Sequence, residues 1–80
     1  MTRLVVGHPR AITDYAHAAS LRPGDYLPVY AGTSHEALRG RAPHELEIVY
    51  VHGAAWVLEQ PGVRTYLSML VHLGAREEVA

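Results

Sequence analysis

Glu-Ile-Val-Tyr-Val-His-Gly-Ala-Ala-Trp, residues 47–56, is the stretch of sequence from which the fold follows. The apolar run from Ile48 to Val51 is unbroken and largely β-branched, which is typical of a strand buried on both faces of a parallel sheet. The run ends at His52 and Gly53, where a polar ring meets a flexible backbone position. Open α/β sheets place their binding sites at the carboxyl ends of the strands, so these two residues are the first candidates for a site.

The composition describes one small domain that spans residues 1–80. Hydrophobic residues make up 49% of the 80 residues and charged residues 19%, a balance that excludes a disordered chain. The formal net charge of -1 offers no attraction for nucleic acid, which we do not expect to bind. The chain has no cysteine and no apolar run long enough for a signal peptide or a membrane span. We therefore expect a soluble cytoplasmic protein without a membrane partner.

The rest of the chain alternates between strand and helix patterns. Short apolar runs at residues 4–6 and 26–30 precede the strand at residues 47–51. Each of the three strands is followed by a segment with helical spacing or a helix-start signal. The three predicted helices begin at Pro9, at the capping box formed by Thr33 and Glu36, and near Val63, and the last two end at Gly40 and Gly74.

This order predicts an α/β domain, a minimal Rossmann-like βαβαβα unit with a three-stranded parallel sheet. Pro28 has no backbone N–H to donate to a neighbouring strand, which places the second strand at a sheet edge and favours the strand order 2-1-3. Residues 57–62 are predicted to be irregular. Residues 75–80 are predicted to form a tail or a frayed strand.

Three histidines follow the three predicted strands: His8, His35 and His52. In a parallel sheet they share one rim, where imidazoles can hold a metal, act as a general base, or serve as solvated, hydrogen-bonding groups. No familiar metal-binding spacing is present, and few acids lie near this rim. The last interpretation is therefore favoured, and neither a catalytic residue nor a metal site is predicted.

The same rim is rich in small and glycine residues, which let backbone N–H groups approach an anion. Single glycines at strand ends are more often turn residues, and no phosphate-binding glycine motif occurs in the chain. No cofactor is expected. If the rim binds a nucleotide or a small anion, the predicted ligand-binding residues are Gly7, His8, Arg10, Thr33, Ser34, His52 and Gly53.

Trp56 lies just beyond the rim, where it either caps the end of the sheet or anchors an interface. The second predicted helix is short and leaves one face of the sheet poorly covered, which predicts a homodimer. A monomer closed by residues 57–62 is the alternative. Tyr26, Tyr30 and Tyr50 are predicted mainly as core residues. The predicted interface residues are Trp56, Val57, Leu58, Ala37 and Leu38.

The order Leu38-Arg39-Gly40, short loop, apolar strand and Trp56 resembles the Walker B region of large-terminase and related RecA-like ATPases. In that family two acids at the end of the strand hold Mg²⁺ and the attacking water. His52 and Gly53 occupy those positions here, and the chain has no Lys for a Walker A loop. The resemblance therefore implies a shared topology, and we expect no ATPase activity.

The chain as a whole resembles the short, Arg-rich, Rossmann-like proteins encoded by actinobacterial phages. All seven basic residues are Arg, a usage that a GC-rich coding genome favours. The resemblance implies an accessory phage protein that acts on a host or phage protein in the host cytoplasm. It supplies no catalytic residues.

Three functions remain open, in descending order of support. The first is a non-enzymatic module that binds a protein or self-associates. The second is a binder of nucleotides or small anions at the histidine and glycine rim. The third is a hydrolase with His8 or His52 as its base.

Overall fold

The computed structural model describes residues 2–30 and 42–80. Its strands are β1 (Thr2–Val6), β2 (Tyr26–Val29), β3 (Leu46–Tyr50) and β4 (Arg76–Val79). Its helices are α1 (Pro9–Ala18), α2 (Ala54–Leu58) and α3 (Pro61–His72), and a 3₁₀ turn at Pro43–Glu45 precedes β3. The second predicted helix, which includes Thr33, Ser34, His35, Ala37 and Leu38, lies outside the described residues.

The strands form one parallel sheet in the order β2-β1-β3-β4. The parallel α/β architecture is confirmed, as is the edge position of the strand that contains Pro28. The prediction of three strands is wrong, because Arg76–Val79 pairs with β3 from Glu47↔Arg76 to Tyr50↔Val79. All four residues of β4 are exposed, so this edge strand never needed the apolar pattern by which a buried strand is recognised.

Two different layers cover the two faces of the sheet. Leu4 and Ile48 are paired in register and belong to one buried cluster with Leu67 and Leu70 of α3. Neighbouring residues of a strand point to opposite faces, so Arg3 points to the other face, where its guanidinium donates to the hydroxyl of Tyr15 on α1 at 3.5 Å. The helices α1 and α3 therefore lie on opposite faces, as right-handed crossovers in opposite directions along the sheet require.

The segment predicted to be irregular contains the end of one helix and the start of another. Gly53 adopts a left-handed conformation (φ 88°) immediately before α2, and Pro61 occupies the first turn of α3, where it costs no hydrogen bond. The prediction for residues 57–62 is therefore wrong at both ends. A helix of five residues is too short to show a helical period in its sequence.

The sheet face expected to be bare is covered by α2 and α3. Val57, Val63 and Leu67 pack with Leu4 and Ile48 in the main cluster. The strand β4 accounts for this difference. Because β4 lies on the far side of β3 from β1, α3 connects β3 to β4 in the direction opposite to the one in which α1 connects β1 to β2. A right-handed crossover in that direction places α3 on the face opposite α1. The reason for expecting a dimer through an open sheet face is therefore removed. Val57 covers this face in part, as the alternative closed monomer requires.

Candidate functional site

The loops that follow β1 and β3 are joined at the carboxyl rim of the sheet. The backbone N–H of Val51 donates to the carbonyl oxygen of Val6 at 2.9 Å, and that of His8 donates to the carbonyl oxygen of His52 at 2.8 Å. The backbone N–H of Gly7 donates to the carbonyl oxygen of Val29 at 3.0 Å, which ties in the end of β2. The rim is therefore a single hydrogen-bonded platform in which His8 and His52 meet through their backbones.

Two glycines make this close approach possible. A Cβ atom on Gly7 would collide with the side chain of Val51 and lie 2.7 Å from the carbonyl oxygen of His52. A Cβ atom on Gly53 would lie 2.9 Å from the backbone nitrogen of His8, and its φ of +88° disfavours any L side chain. Both predicted rim glycines thus have a structural role in packing the loops together.

His8 is the N-cap residue of α1. Its Nδ1 accepts a hydrogen bond from the backbone N–H of Arg10 at 3.3 Å, and Pro9 between them has no N–H. The backbone N–H groups of His8 and Arg10 are therefore both engaged within the chain. This arrangement reduces the donors that the rim can offer to an anion, and it fits the interpretation of His8 as a hydrogen-bonding structural residue.

Only some of the predicted ligand-binding residues line a common groove. Gly7, His8 and Gly53 line one groove, whereas Arg10 and His52 are exposed but do not line it. Thr33 and Ser34 lie outside the described residues. In residues 2–30 and 42–80, no three His, Asp or Glu side chains converge as metal ligands would.

A groove of about 150 Å³ opens at this rim between the end of β2, the start of α1 and α2. Trp56 forms one wall with an indole that is 70% exposed, and Tyr30, at 40% exposed, lies on the groove as well. We name it the Trp56 groove; its lining residues are Gly7, His8, Pro9, Tyr30, Gly53, Trp56 and Val57.

The predicted interface residues of α2 have different environments. Trp56 projects into solvent, Val57 is only 2% exposed, and Leu58 is partly buried against the main cluster. Val57 is therefore a core residue that offers almost no surface to the Trp56 groove. Ala37 and Leu38 lie outside the described residues.

Sequence reasoning missed Tyr30, which it assigned mainly to the core. Tyr30 follows Val29, the last residue of β2, and so leaves the sheet at the rim instead of entering it. Its position directly after an apolar strand residue was the available signal. The same rule that marks His52 as a rim residue applies to Tyr30.

A second depression of about 410 Å³ lies at the opposite end of the sheet. It is formed by the last turn of α1 and the start of β2, and its lining includes Thr13, His17 and Tyr26. Although this depression is larger, it lies at the amino end of β2. Open α/β sheets bind ligands at the carboxyl ends of their strands, so the Trp56 groove is the better candidate site.

The pKa of the Tyr50 hydroxyl is clearly shifted in the folded protein. Burial, followed by the hydrogen bond to Glu77 and the charge of its carboxylate, raises the pKa of Tyr50 well above its ordinary value. The hydroxyl of Tyr50 donates to Glu77 Oε1 at 2.8 Å. This contact joins β3 to β4 and is separate from the residues of the Trp56 groove, so it is a structural feature of the edge.

No family model, curated protein or solved structure matches this chain. Within the described residues, no helix is both long and apolar enough to cross a membrane.

Proposed function

We propose that this protein is a non-enzymatic protein-binding module that receives an apolar side chain of a partner protein in the Trp56 groove. The observation that carries this proposal is the exposure of Trp56, a large apolar side chain that is 70% accessible beside a preformed groove. Tryptophan is strongly enriched among the residues that dominate binding energy at protein interfaces.

The size of the groove favours a single side chain over a nucleotide. Its volume of about 150 Å³ lies below the roughly 300–1,000 Å³ of typical small-molecule pockets. An apolar cavity of roughly this size in another protein holds one benzene molecule. An aromatic or branched aliphatic side chain of a partner therefore suits the groove.

The expected gain is sufficient for a specific contact. Aromatic side chains bury roughly 150–250 Å², so covering the exposed part of the indole removes on the order of 100 Å² or more from water. At about 25 cal/mol per Å² this contributes about 3 kcal/mol before the costs of association. Trp56 alone therefore accounts for an affinity difference of about a hundredfold.

The partner that we propose is a protein of the host cell or of a phage. Affinity purification from cells that express the tagged protein, with isotope-coded quantification, tests this function. We expect at least one protein to be retained by the native chain, weakened by Trp56→Phe and lost with Trp56→Ala.

Met69→Ala is the matched control, because Met69 is also a large exposed apolar residue but lies on α3, away from the groove. A partner that depends on the Trp56 groove stays bound to this variant. Equal recovery of all proteins with the native chain and with Trp56→Ala would disprove the proposal.

Binding of a small anion or nucleotide at the histidine and glycine rim is the second candidate. The observation in its favour is that Gly7, His8 and Gly53 line one groove. The engaged backbone N–H groups of His8 and Arg10 weigh against it. A thermal-shift screen with nucleotides and inorganic phosphate tests it, since a ligand at one hundred times its dissociation constant stabilises a protein by about 2.7 kcal/mol.

A further inference from the structure

We propose that a second copy of this chain pairs with the open edge of β4 in the antiparallel direction, so that the two four-stranded sheets become continuous. This surface is separate from the Trp56 groove, and the inference does not depend on the proposed function. It rests on two observations: some backbone N–H and C=O groups of β4 point away from β3, and charged side chains alternate in sign across the sheet up to β4.

The outer edge of β4 is able to accept another strand. In the described part of the chain β4 pairs with β3, and all four of its residues are exposed. The backbone N–H of Ala80 donates to Tyr50, so by alternation Glu77 and Val79 direct their N–H and C=O groups away from β3. These groups are the donors and acceptors that a new strand requires.

The opposite edge of the sheet is less suited to pairing. The carbonyl oxygens of Asp25 and Val29 accept from the backbone N–H groups of Arg3 and Gly7, so by alternation Pro28 faces outward. Proline has no N–H to donate at that position. Between the two edges of the sheet, β4 is therefore the one that is equipped to extend it.

A row of alternating charges runs across the sheet and ends at β4. Arg3 is in register with Glu47, with 3.9 Å between Arg3 Nε and Glu47 Oε1, and Glu47 is in register with Arg76. The three side chains lie on the same face of adjacent strands and alternate in sign. A negative side chain beside Arg76 would continue this order.

A two-fold axis beside Glu77 supplies that negative side chain. Directly opposed residues in an antiparallel pair lie on the same face, so this axis places Arg76 opposite Glu78 of the second copy, and the reverse. Either axis opposes two copies of one glutamate: at Glu77 they form the wider, hydrogen-bonded pair, whereas at Glu78 they would form the pair of closest approach and leave Arg76 without an acidic partner in the second copy. Charge complementarity thus selects the axis at Glu77.

The carboxylate of Glu77 meets its own copy across this axis, on the other face of the sheet. There it accepts the hydrogen bond from Tyr50 at 2.8 Å, which directs it back toward its own chain. Val79 lies on this same face and is 81% exposed. Across this axis each Val79 lies opposite Ala75 of the second copy, which is already buried, so the choice of this pairing rests on the charged residues.

Charge-reversal variants analysed by sedimentation equilibrium test the proposal on the full chain. We expect the native protein to show a concentration-dependent dimer. Arg76→Glu and Glu78→Arg each turn two attractive contacts into repulsive ones, which raises the dimer dissociation constant about tenfold or more. The double variant restores both intermolecular pairs and returns the constant toward the native value, although position 76 then faces Glu47 of its own chain with a like charge.

The outcomes that contradict the proposal are distinct. A native chain that stays monomeric over the whole concentration range overturns it, and so does a double variant as weak as the single ones. Trp56→Ala should leave the dimer intact, and loss of the dimer in this variant would locate the interface at the groove instead. Circular dichroism of each variant confirms that these exposed substitutions leave the fold unchanged.

Engineered cysteines test the register, because the native chain has no cysteine. The Cα atoms of Arg76 and of Glu78 in the second copy would be about 4.5 Å apart, within the range that a disulfide spans. We expect a mixture of Arg76→Cys and Glu78→Cys to cross-link under mild oxidation. Each variant alone should not, because its own two copies would be about 7–8 Å apart. Equal cross-linking with and without mixing would overturn the register.

Discussion

The centre of the sheet and its β4 edge are held in place by different forces. At the centre, the side chains of β1 and β3 such as Val5 and Ile48 are fully buried, and the loops beyond them touch through their backbones. At the edge, β4 is exposed on all its residues and attaches through its pairing with β3 and the contact between Tyr50 and Glu77. Burial therefore determines the centre, whereas hydrogen bonds and charge determine the edge.

This difference separates stability from recognition. Changes at the centre remove buried apolar area and create cavities, so they are expected to affect folding. Changes at the exposed edge remove little buried area from the core, so the residues of β4 can determine which strand pairs with it at little cost in stability. The proposed selection of a second copy by Arg76 and Glu78 depends on this freedom.

The largest expected contrast is between Ile48→Ala and Val79→Ala. Ile48 is fully buried and Val79 is 81% exposed, although they lie on adjacent strands and on the same face of the sheet. Urea unfolding should show a loss of about 3–4 kcal/mol for Ile48→Ala and less than about 0.5 kcal/mol for Val79→Ala in the monomer. Ile48→Val, with a loss of about 1 kcal/mol, provides a graded version that stays folded. Similar losses at both sites would remove the distinction.

Gly7→Ala tests the backbone contact beyond the centre of the sheet. The added methyl group would meet Val51 and the carbonyl oxygen of His52, which cannot move without breaking the rim hydrogen bonds. We expect a loss of roughly 2–3 kcal/mol in thermal or urea unfolding. Gly62→Ala is the control, since nothing lies within 4 Å of its added Cβ. A Gly7→Ala variant as stable as the control would contradict the close packing of the rim.

His8→Ala should cost about 1 kcal/mol, because it removes the side-chain acceptor for the N–H of Arg10. His8→Asn should recover most of this loss, since asparagine is a favourable N-cap residue. The backbone hydrogen bond from His8 to His52 persists in both variants. Urea unfolding distinguishes the two, and an equal loss in both would show that the imidazole acts at the rim in another way.

Tyr50→Phe gives the smallest expected effect and examines the attachment of β4. The phenol donates to Glu77 at a partly exposed position, so its loss should cost about 0.5–1 kcal/mol near neutral pH. The pKa of Tyr50 is raised in the folded protein, so the native chain binds this proton more tightly when it is folded. The stabilisation is therefore complete below about pH 10, the ordinary value for tyrosine, and declines as the pH rises above it.

Unfolding free energies of the native chain and of Tyr50→Phe, compared between neutral and strongly alkaline pH, check this sign. The difference between them should shrink above about pH 10. A difference that grows with pH would mean that the phenolate is the form favoured by the fold. Such a result would also weaken the role given to Tyr50 in turning Glu77 away from the second copy.

The predictability of each region follows the same contrast. The strands at residues 4–6 and 47–51 could be recognised because burial on both faces demands continuous apolar runs. Pro28 indicated an edge strand because a residue without an N–H cannot donate a hydrogen bond to a neighbouring strand. The charged run from Arg76 to Glu78 carries no such mark, since a strand that is exposed on both faces pairs with β3 through its backbone and needs no apolar pattern.

The candidate site was predictable in part for a related reason. His8, Gly53 and Trp56 follow recognisable strand ends, and their position on one rim is a property of any parallel sheet. Whether the glycines would approach a ligand or the backbone of the neighbouring loop depends on the distance between the two loops. That distance is set by contacts such as Gly7 with Val51, which lie far apart in the chain.

The sequence by itself determined the parallel α/β class, the central strands, the edge position of β2 and the rim on which Trp56 lies, because local propensity and apolar patterning encode them. The tertiary structure decided the fourth strand, the face that α3 covers, the burial of Val57 and the pairing of Tyr30 with Trp56 on one groove. These features arise from contacts between distant segments. Their energies depend on the packed geometry and leave no periodic pattern in the residues that make them.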